Sequence, residues 1–264
     1  MLEVKNAVKV FAAGTPNEFK ALNGLNLKLE DGEFVTIIGS NGAGKSTLFN
    51  AICGNFWLDN GHIILDGEDI SYKSEHKRAR RIGRIFQDPM KGTAPHLTIE
   101  ENLALAYSRS KRGGLAPAIT KSERVMFREA LADFDMGLED RMNTKVGLLS
   151  GGQRQVVTLL MATLVPPRLL LLDEHTAALD PATAEKVMEI TKRIVERENL
   201  TTLMITHNVK SALETGDRTI MLDAGNIIFD IGKEERIGMT VEDLMKKYSN
   251  KKHEEFDNDR AIFS

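Results

Sequence analysis

The chain has 264 residues, 42% of them hydrophobic, enough for one large α/β core with a smaller lobe. A net charge of −3 excludes a strong field drawing in nucleic acid, and no apolar run approaches the length needed to span a bilayer. The single cysteine, Cys53, excludes an intrachain disulfide and suits a reducing cytosol.

Residues 2–11 alternate like a strand and lack the apolar core of a signal peptide. A turn-rich stretch with Gly14 and Pro16 leads to a second strand over 22–29. Residues 34–38 read as a buried strand, followed by a helix-like run over 46–53 on which Cys53 should pack as a small apolar residue rather than react. Ile63-Ile64-Leu65 runs into an Asp66-Gly67 turn. The basic cluster His76-Lys77-Arg78-Ala79-Arg80-Arg81 reads as a solvated helix face ahead of a short strand over 82–86. From 99 to about 164 the chain is mostly helix-like, broken at Gly113-Gly114, Pro117 and Gly137, and forms a candidate helical lobe.

Residues 169–172 return to a buried strand. Asp180-Pro181 supplies an N-cap and a first-turn proline for a helix with Val187, Ile190, Thr191 and Ile194 on one stripe. A strand over 201–206 is followed by strands over 219–222 and 227–231, paired as a hairpin through Ala224-Gly225. Thr240 is expected to cap a last short helix, and residues 251–264 form a charged tail that reads as loose. No repeat interrupts this order. Strands alternating with helices imply an α/β fold with a mainly parallel sheet and ligands at the strands' carboxyl ends. The early strands read as antiparallel, so the expected core is a mixed sheet with an inserted helical lobe.

Three segments carry chemistry. Gly39-Ser40-Asn41-Gly42-Ala43-Gly44-Lys45-Ser46-Thr47 fits the phosphate-binding loop G-x-x-x-x-G-K-[ST], placed between a strand and a helix as that motif requires. Its glycines let backbone N–H groups close around phosphates, and the following helix points its positive end at them. Lys45 adds a full charge, and the Ser46 hydroxyl is a ligand for Mg²⁺. The second segment is Leu169-Leu170-Leu171-Leu172-Asp173-Glu174. A buried strand delivers Asp173 to the sheet edge, where it can hold Mg²⁺ through its water shell, and Glu174 can orient or deprotonate an attacking water. Taken alone, the two acids would read as an exposed pair closing a strand; beside a phosphate loop the catalytic reading prevails. The third is Leu149-Ser150-Gly151-Gly152-Gln153, where Ser150 is a natural N-cap and the glycines expose N–H groups to an anion. Simple capping would also account for it.

LSGGQ, joined to the phosphate loop and the LLLLDE strand, resembles the ATP-binding cassette family, the ATPase subunits of ABC transporters. The resemblance runs from about residue 2 to 231. It implies a P-loop cassette with a RecA-like mixed-sheet core, an antiparallel β subdomain and an α-helical subdomain inserted over about 88–164, in a single nucleotide-binding domain spanning 1–250. It implies that Phe11 stacks on adenine, that Gln87 reaches Mg²⁺ and the attacking water, and that His207 contacts the γ-phosphate. Asp180 falls in the loop that follows the acidic strand. It implies ATP and Mg²⁺ as cofactors. Two subunits, identical or paired with a second ATPase, would meet head to tail, with Ser150, Gly151, Gly152 and Gln153 of one covering ATP held by the other. The groove beside Gln87 would receive a coupling helix from an integral membrane permease. The chain would then lie on the cytoplasmic face of the membrane, with a substrate-binding lipoprotein as an indirect partner and no nucleic acid. Most relatives carry proline after the two acids; here His175 stands there, expected to cap the strand end rather than tune Glu174.

A lone cassette resembles the subunits of importers, and the strings from Phe86 to Pro95 and from Asp173 to Asp180 are similar to a subgroup assigned to tryptophan or tyrosine uptake. A soluble cassette ATPase of iron–sulfur cluster assembly is the alternative. A nucleic-acid-associated cassette is disfavoured by the charge balance and the single cassette.

Overall fold

The computed structural model describes residues 1–110 and 119–249. The breaks expected at Gly113-Gly114 and Pro117, and the charged tail 251–264, lie outside the described residues. The chain opens with strands β1 (Leu2–Phe11), β2 (Phe19–Leu29) and β3 (Phe34–Gly39), then helix α1 (Lys45–Cys53). β4 (Asn60–Leu65), β5 (Glu68–Asp69), the single turn α2 (Glu75–Arg78) and β6 (Ile82–Ile85) follow. Three helices come next: α3 (Ile99–Tyr107), α4 (Lys121–Ala132) and α5 (Gly151–Thr163). The chain re-enters the core through β7 (Leu169–Asp173), α6 (Pro181–Arg197), β8 (Thr202–Ile205) and α7 (Val209–Glu214). It closes with β9 (Arg218–Asp223), β10 (Asn226–Ile231), α8 (Lys233–Arg236) and a helix α9 over 241–249.

The strands form two sheets, an antiparallel one in the order β2-β1-β4-β5 and a six-stranded one in the order β10-β9-β3-β8-β7-β6. In the second sheet only β10 runs antiparallel. The strands from β9 to β6 therefore end at one edge, where Asp173 lies beside Ile205, Ile205 beside Ile37, and β3 runs on to Gly39. Both faces of this sheet are covered, which explains why residues 34–38 and 169–172 are buried throughout. Alternation divides β7 between two cores. Leu169 and Leu171 join α1 and the antiparallel sheet, while Leu170 and Leu172 join the helical region and α6. Each buried leucine contributes about 2 kcal/mol, so Asp173 sits at the end of a firmly anchored strand.

The helices start where the caps say they should. Thr98 with Glu101, Thr120 with Glu123, and Ser150 with Gln153 each form a reciprocal capping box. Asp180 caps α6 ahead of Pro181, and Val187, Ile190, Thr191 and Ile194 are all buried. Thr240 caps α9 by accepting from the Asp243 N–H. The β9–β10 hairpin turns through Ala224 and Gly225, both at positive φ. The middle block is less helical than its pattern predicts. Residues 133–150 form turns and one 3-10 turn (Val146–Leu148), because Asp135 and Gly137 adopt left-handed backbone and Lys145 bridges to Thr98.

The basic cluster is not a plain solvated face. Arg78 is buried, and its guanidinium donates to the carbonyls of Ala51, Ile52, Ser71 and Lys73. Two of these carbonyls end α1, so Arg78 supplies donors and a positive charge to the unpaired carbonyls of its last turn. Arg81 pairs with Asp66 and Glu68. Cys53 is buried in the core, as its position on α1 implies, and burial raises its thiol pKa.

Candidate active site

The sheet edge and the start of α1 build an anion cradle. Gly39 has φ 148° and Gly44 φ 104°, and a Cβ on Gly44 would lie 2.5 Å from the Ala21 carbonyl oxygen. Only glycine lets the loop leave β3 and enter α1 this tightly. Gly44 caps α1 without a side chain, and no acid occupies the first turn, so the helix's own residues leave its positive end free for an anion. Lys45 folds its ammonium back over the loop, donating to the carbonyls of Gly39 (2.7 Å) and Ser40 (2.9 Å). Burial lowers its pKa, and the charges of Glu174 and Asp173 oppose that shift.

Two acids approach from β7. Glu174 takes a left-handed backbone (φ 49°), and its N–H donates to the Ile205 carbonyl at 3.0 Å. That conformation costs about 1–3 kcal/mol, and the buried strands β7 and β8 hold it in place. Glu174 Oε1 lies 2.7 Å from His207 Nε2, just past the end of β8. An ionised carboxylate only accepts, so in such a pair the bond runs from Nε2–H to Oε1. Phe19, the loop from Asn41 to Thr47, Glu174 and His207 line one open cleft of 160 Å³. That is smaller than the roughly 300–1,000 Å³ typical of ligand pockets, and the cleft is open to solvent.

The other expected residues divide. Asp173 closes β7, but its Oδ2 accepts from Arg84 (2.9 Å). Gln87 is exposed just after β6 and is not among the residues lining the cleft. Phe11 pairs with Phe19 across β1 and β2; Phe19 lines the cleft, while Phe11 packs edge-on against Phe56, with centroids 5.6 Å apart. Asp180 accepts from the Thr183 N–H (3.1 Å), and its pKa is lowered first by the Thr183 hydroxyl and then by that N–H.

Ser150 and Gln153 are engaged in their capping box, and Arg141 donates to Gln153 Oε1. Gly151 is exposed, whereas Gly152 is buried, and a Cβ there would fall 2.2 Å from Thr183 Cγ2. Gly152 therefore lets the starts of α5 and α6 approach, in addition to whatever its N–H binds.

His175 does not cap the strand end. It is buried, with Nε2 3.1 Å from the Thr191 hydroxyl, which itself donates to the Val187 carbonyl. Desolvation lowers its pKa to about 4, so it is a neutral core side chain.

Sequence reasoning missed Arg84, Phe19 and Arg141. Arg84 had a signal: a cation inside the strand Ile82-Gly83-Arg84-Ile85 of a covered sheet needs a buried acceptor. Phe19 had one as well, as the cross-strand partner of Phe11. Among the described residues, no cluster of three or more His, Cys, Asp or Glu side chains is arranged to hold a metal, and no helix is long and apolar enough to cross a membrane.

Residues 22–177 match the ABC transporter family. The chain is 44% identical over 250 residues to a tyrosine transport ATP-binding protein of Clostridioides difficile, covering 94% of this chain and 98% of that relative. It is 34% identical to a phosphonates import ATP-binding protein of Lactococcus lactis, covering 94% and 99%. The fold superposes on the dimeric structure of a post-hydrolysis state of the ATP-binding cassette MJ0796 bound to ADP and Pi. The TM-score is 0.76 at 31% identity, covering 88% of this chain and 99% of that one.

Proposed function

This chain belongs to the ABC transporter family as an ATP-binding and hydrolysing import subunit, and from that premise we propose how its residues divide the work. The relatives are import subunits, so the iron–sulfur assembly alternative is set aside. The observation that carries the reading is the single cleft shared by the phosphate loop, Glu174 and His207.

In this reading the loop N–H groups and Lys45 bind the β- and γ-phosphates, Lys45 leaving the Gly39 and Ser40 carbonyls for them. Glu174 takes a proton from the water that attacks the γ-phosphorus, and ADP leaves. His207 holds the carboxylate in place through the Nε2–H bond. Ser46 and Asp173 are hard oxygen donors, the chemistry Mg²⁺ selects, and would hold the ion with Gln87. When bound, the ion neutralises charge between the transferred and leaving phosphates. Phe11 and Phe19 form the aromatic edge for adenine.

The small open cleft calls for a second copy. Ser150 Oγ accepts the cap from the Gln153 N–H, which leaves its own proton for a γ-phosphate presented by a partner. We place the dimer on the cytoplasmic face of a membrane, energising uptake through a separate permease, with Gln87 and the helical region as the docking side and a lipoprotein delivering solute. An aromatic amino acid of the tyrosine type is the solute, by analogy with the Clostridioides relative. The test is MgATP binding and turnover by the purified chain beside Lys45→Ala and Glu174→Gln. Lys45→Ala should lose binding and Glu174→Gln only turnover; equal turnover in all three would refute the assignment.

A further inference from the structure

Arg84 lies at the junction of two elements that bear on the metal. Its Nη2 donates to Asp173 Oδ2 (2.9 Å) at the end of β7, and its Nη1 donates to Asn50 Oδ1 (2.8 Å) on α1. Asn50 stands one helical turn beyond Ser46, so the two residues share a face of α1. The guanidinium also stacks on the Phe86 ring, 4.6 Å from its centroid. Both members of the pair are largely shielded, Arg84 at 13% and Asp173 at 15% exposure. Arg84 Nε makes no hydrogen bond, and the guanidinium also neighbours the buried Cys53 thiol of α1, whose pKa it lowers against the larger, opposing effect of burial. A guanidinium left partly unsatisfied in a covered strand stays there because Asp173 holds it by charge.

We propose that Arg84 is a built-in counter-cation for Asp173, a positioning residue that neutralises the carboxylate before metal arrives and weakens the site's hold on a divalent cation. The inference rests on the reading of Asp173 as a metal carboxylate. Two effects act in the same direction. The ion pair stabilises the metal-free state, because without it a shielded carboxylate would stand uncompensated. In a metal-bound state the guanidinium would remain as a like charge on the same carboxylate that holds the ion. Arg84 would thereby make metal binding at Asp173 depend on the negative charge that nucleotide phosphates supply.

The experiment measures Mn²⁺ affinity by electron paramagnetic resonance in the presence of ADP, so that no turnover is required. Arg84→Met and Arg84→Gln remove the charge and should each tighten Mn²⁺ binding by about five- to tenfold. Arg84→Lys keeps the charge and should match the wild type. Thermal melts establish folding; Arg84→Gln, which retains a donor for Asp173, provides the reading where Arg84→Met does not fold. Unchanged or weaker Mn²⁺ binding in the uncharged variants would overturn the inference. Asp173→Asn separates the two layers. If it weakens Mn²⁺ while the Arg84 variants do nothing, the counter-cation role alone fails; if it too does nothing, the metal role of Asp173 fails with it.

Discussion

Glu174 and His207 are joined across the carboxyl ends of two adjacent parallel strands, with Oε1 and Nε2 2.7 Å apart. β7 delivers the acid and β8 the imidazole, and their register makes the contact possible. Chain separation hides this pair from any local pattern, yet it fixes which carboxylate oxygen stays available to water.

A unit of this kind should respond non-additively. Glu174→Gln is expected to slow phosphate release by at least about 100-fold, and His207→Ala by about 10- to 100-fold. The double variant should be no slower than Glu174→Gln alone. Steady-state phosphate assays on the three proteins check this, and fully multiplicative losses would dissolve the unit. Glu174→Gln should also accumulate as an ATP-bound dimer in size-exclusion chromatography.

The composite site makes a separate claim. A dimer mixing Ser150→Arg chains with wild-type chains should lose hydrolysis only at the loop facing the altered copy. Kinetics of purified mixed dimers decide it; full activity would show that each copy works alone.

The aromatic edge predicts a change in affinity rather than chemistry. Phe11→Ala/Phe19→Ala together should raise the KM for ATP by about tenfold, in line with stacking of about 1–3 kcal/mol per base, while kcat changes little. Phe11→Ala alone should cost less than Phe19→Ala, because Phe11 already packs on Phe56. Equal KM values across the set would place adenine elsewhere.

Arg78 should matter for stability. Arg78→Met strands the carbonyls of Ala51, Ile52 and Ser71, and is expected to cost about 3 kcal/mol. Urea melts of the two proteins measure it. Lys77→Met, one residue away and exposed, is the control and should lie within about 0.5 kcal/mol of the wild type.

His175 gives the pH dependence. Its pKa is depressed in the folded chain to about 4 from an ordinary 6.5, so the unfolded chain takes up its proton first. The stabilising effect is whole above pH 6.5 and declines as pH falls towards 4. At pH 4.5 the loss from this group is about 2 kcal/mol. His175→Leu should flatten that part of the acid limb, read as the difference between urea melts at pH 7 and 4.5. Parallel curves for the two proteins would contradict a buried neutral imidazole.

The sequence by itself determined the parts that local chemistry dictates. The phosphate loop needs glycines and a lysine at fixed offsets between a strand and a helix. Capping residues announce helix starts, and continuous apolar runs announce covered strands. These settled the loop, the acidic strand, the Ser150 and Asp180 caps and the α/β class. Tertiary structure decided what depends on contacts between distant segments. It placed Arg84 against Asp173, Arg78 on the carbonyls ending α1, Phe19 in the cleft and His175 beneath α6 on Thr191. A residue type states which bonds a side chain can make; which acceptor it meets is set by strand order and register, and neither can be read from the residue's neighbours in the chain.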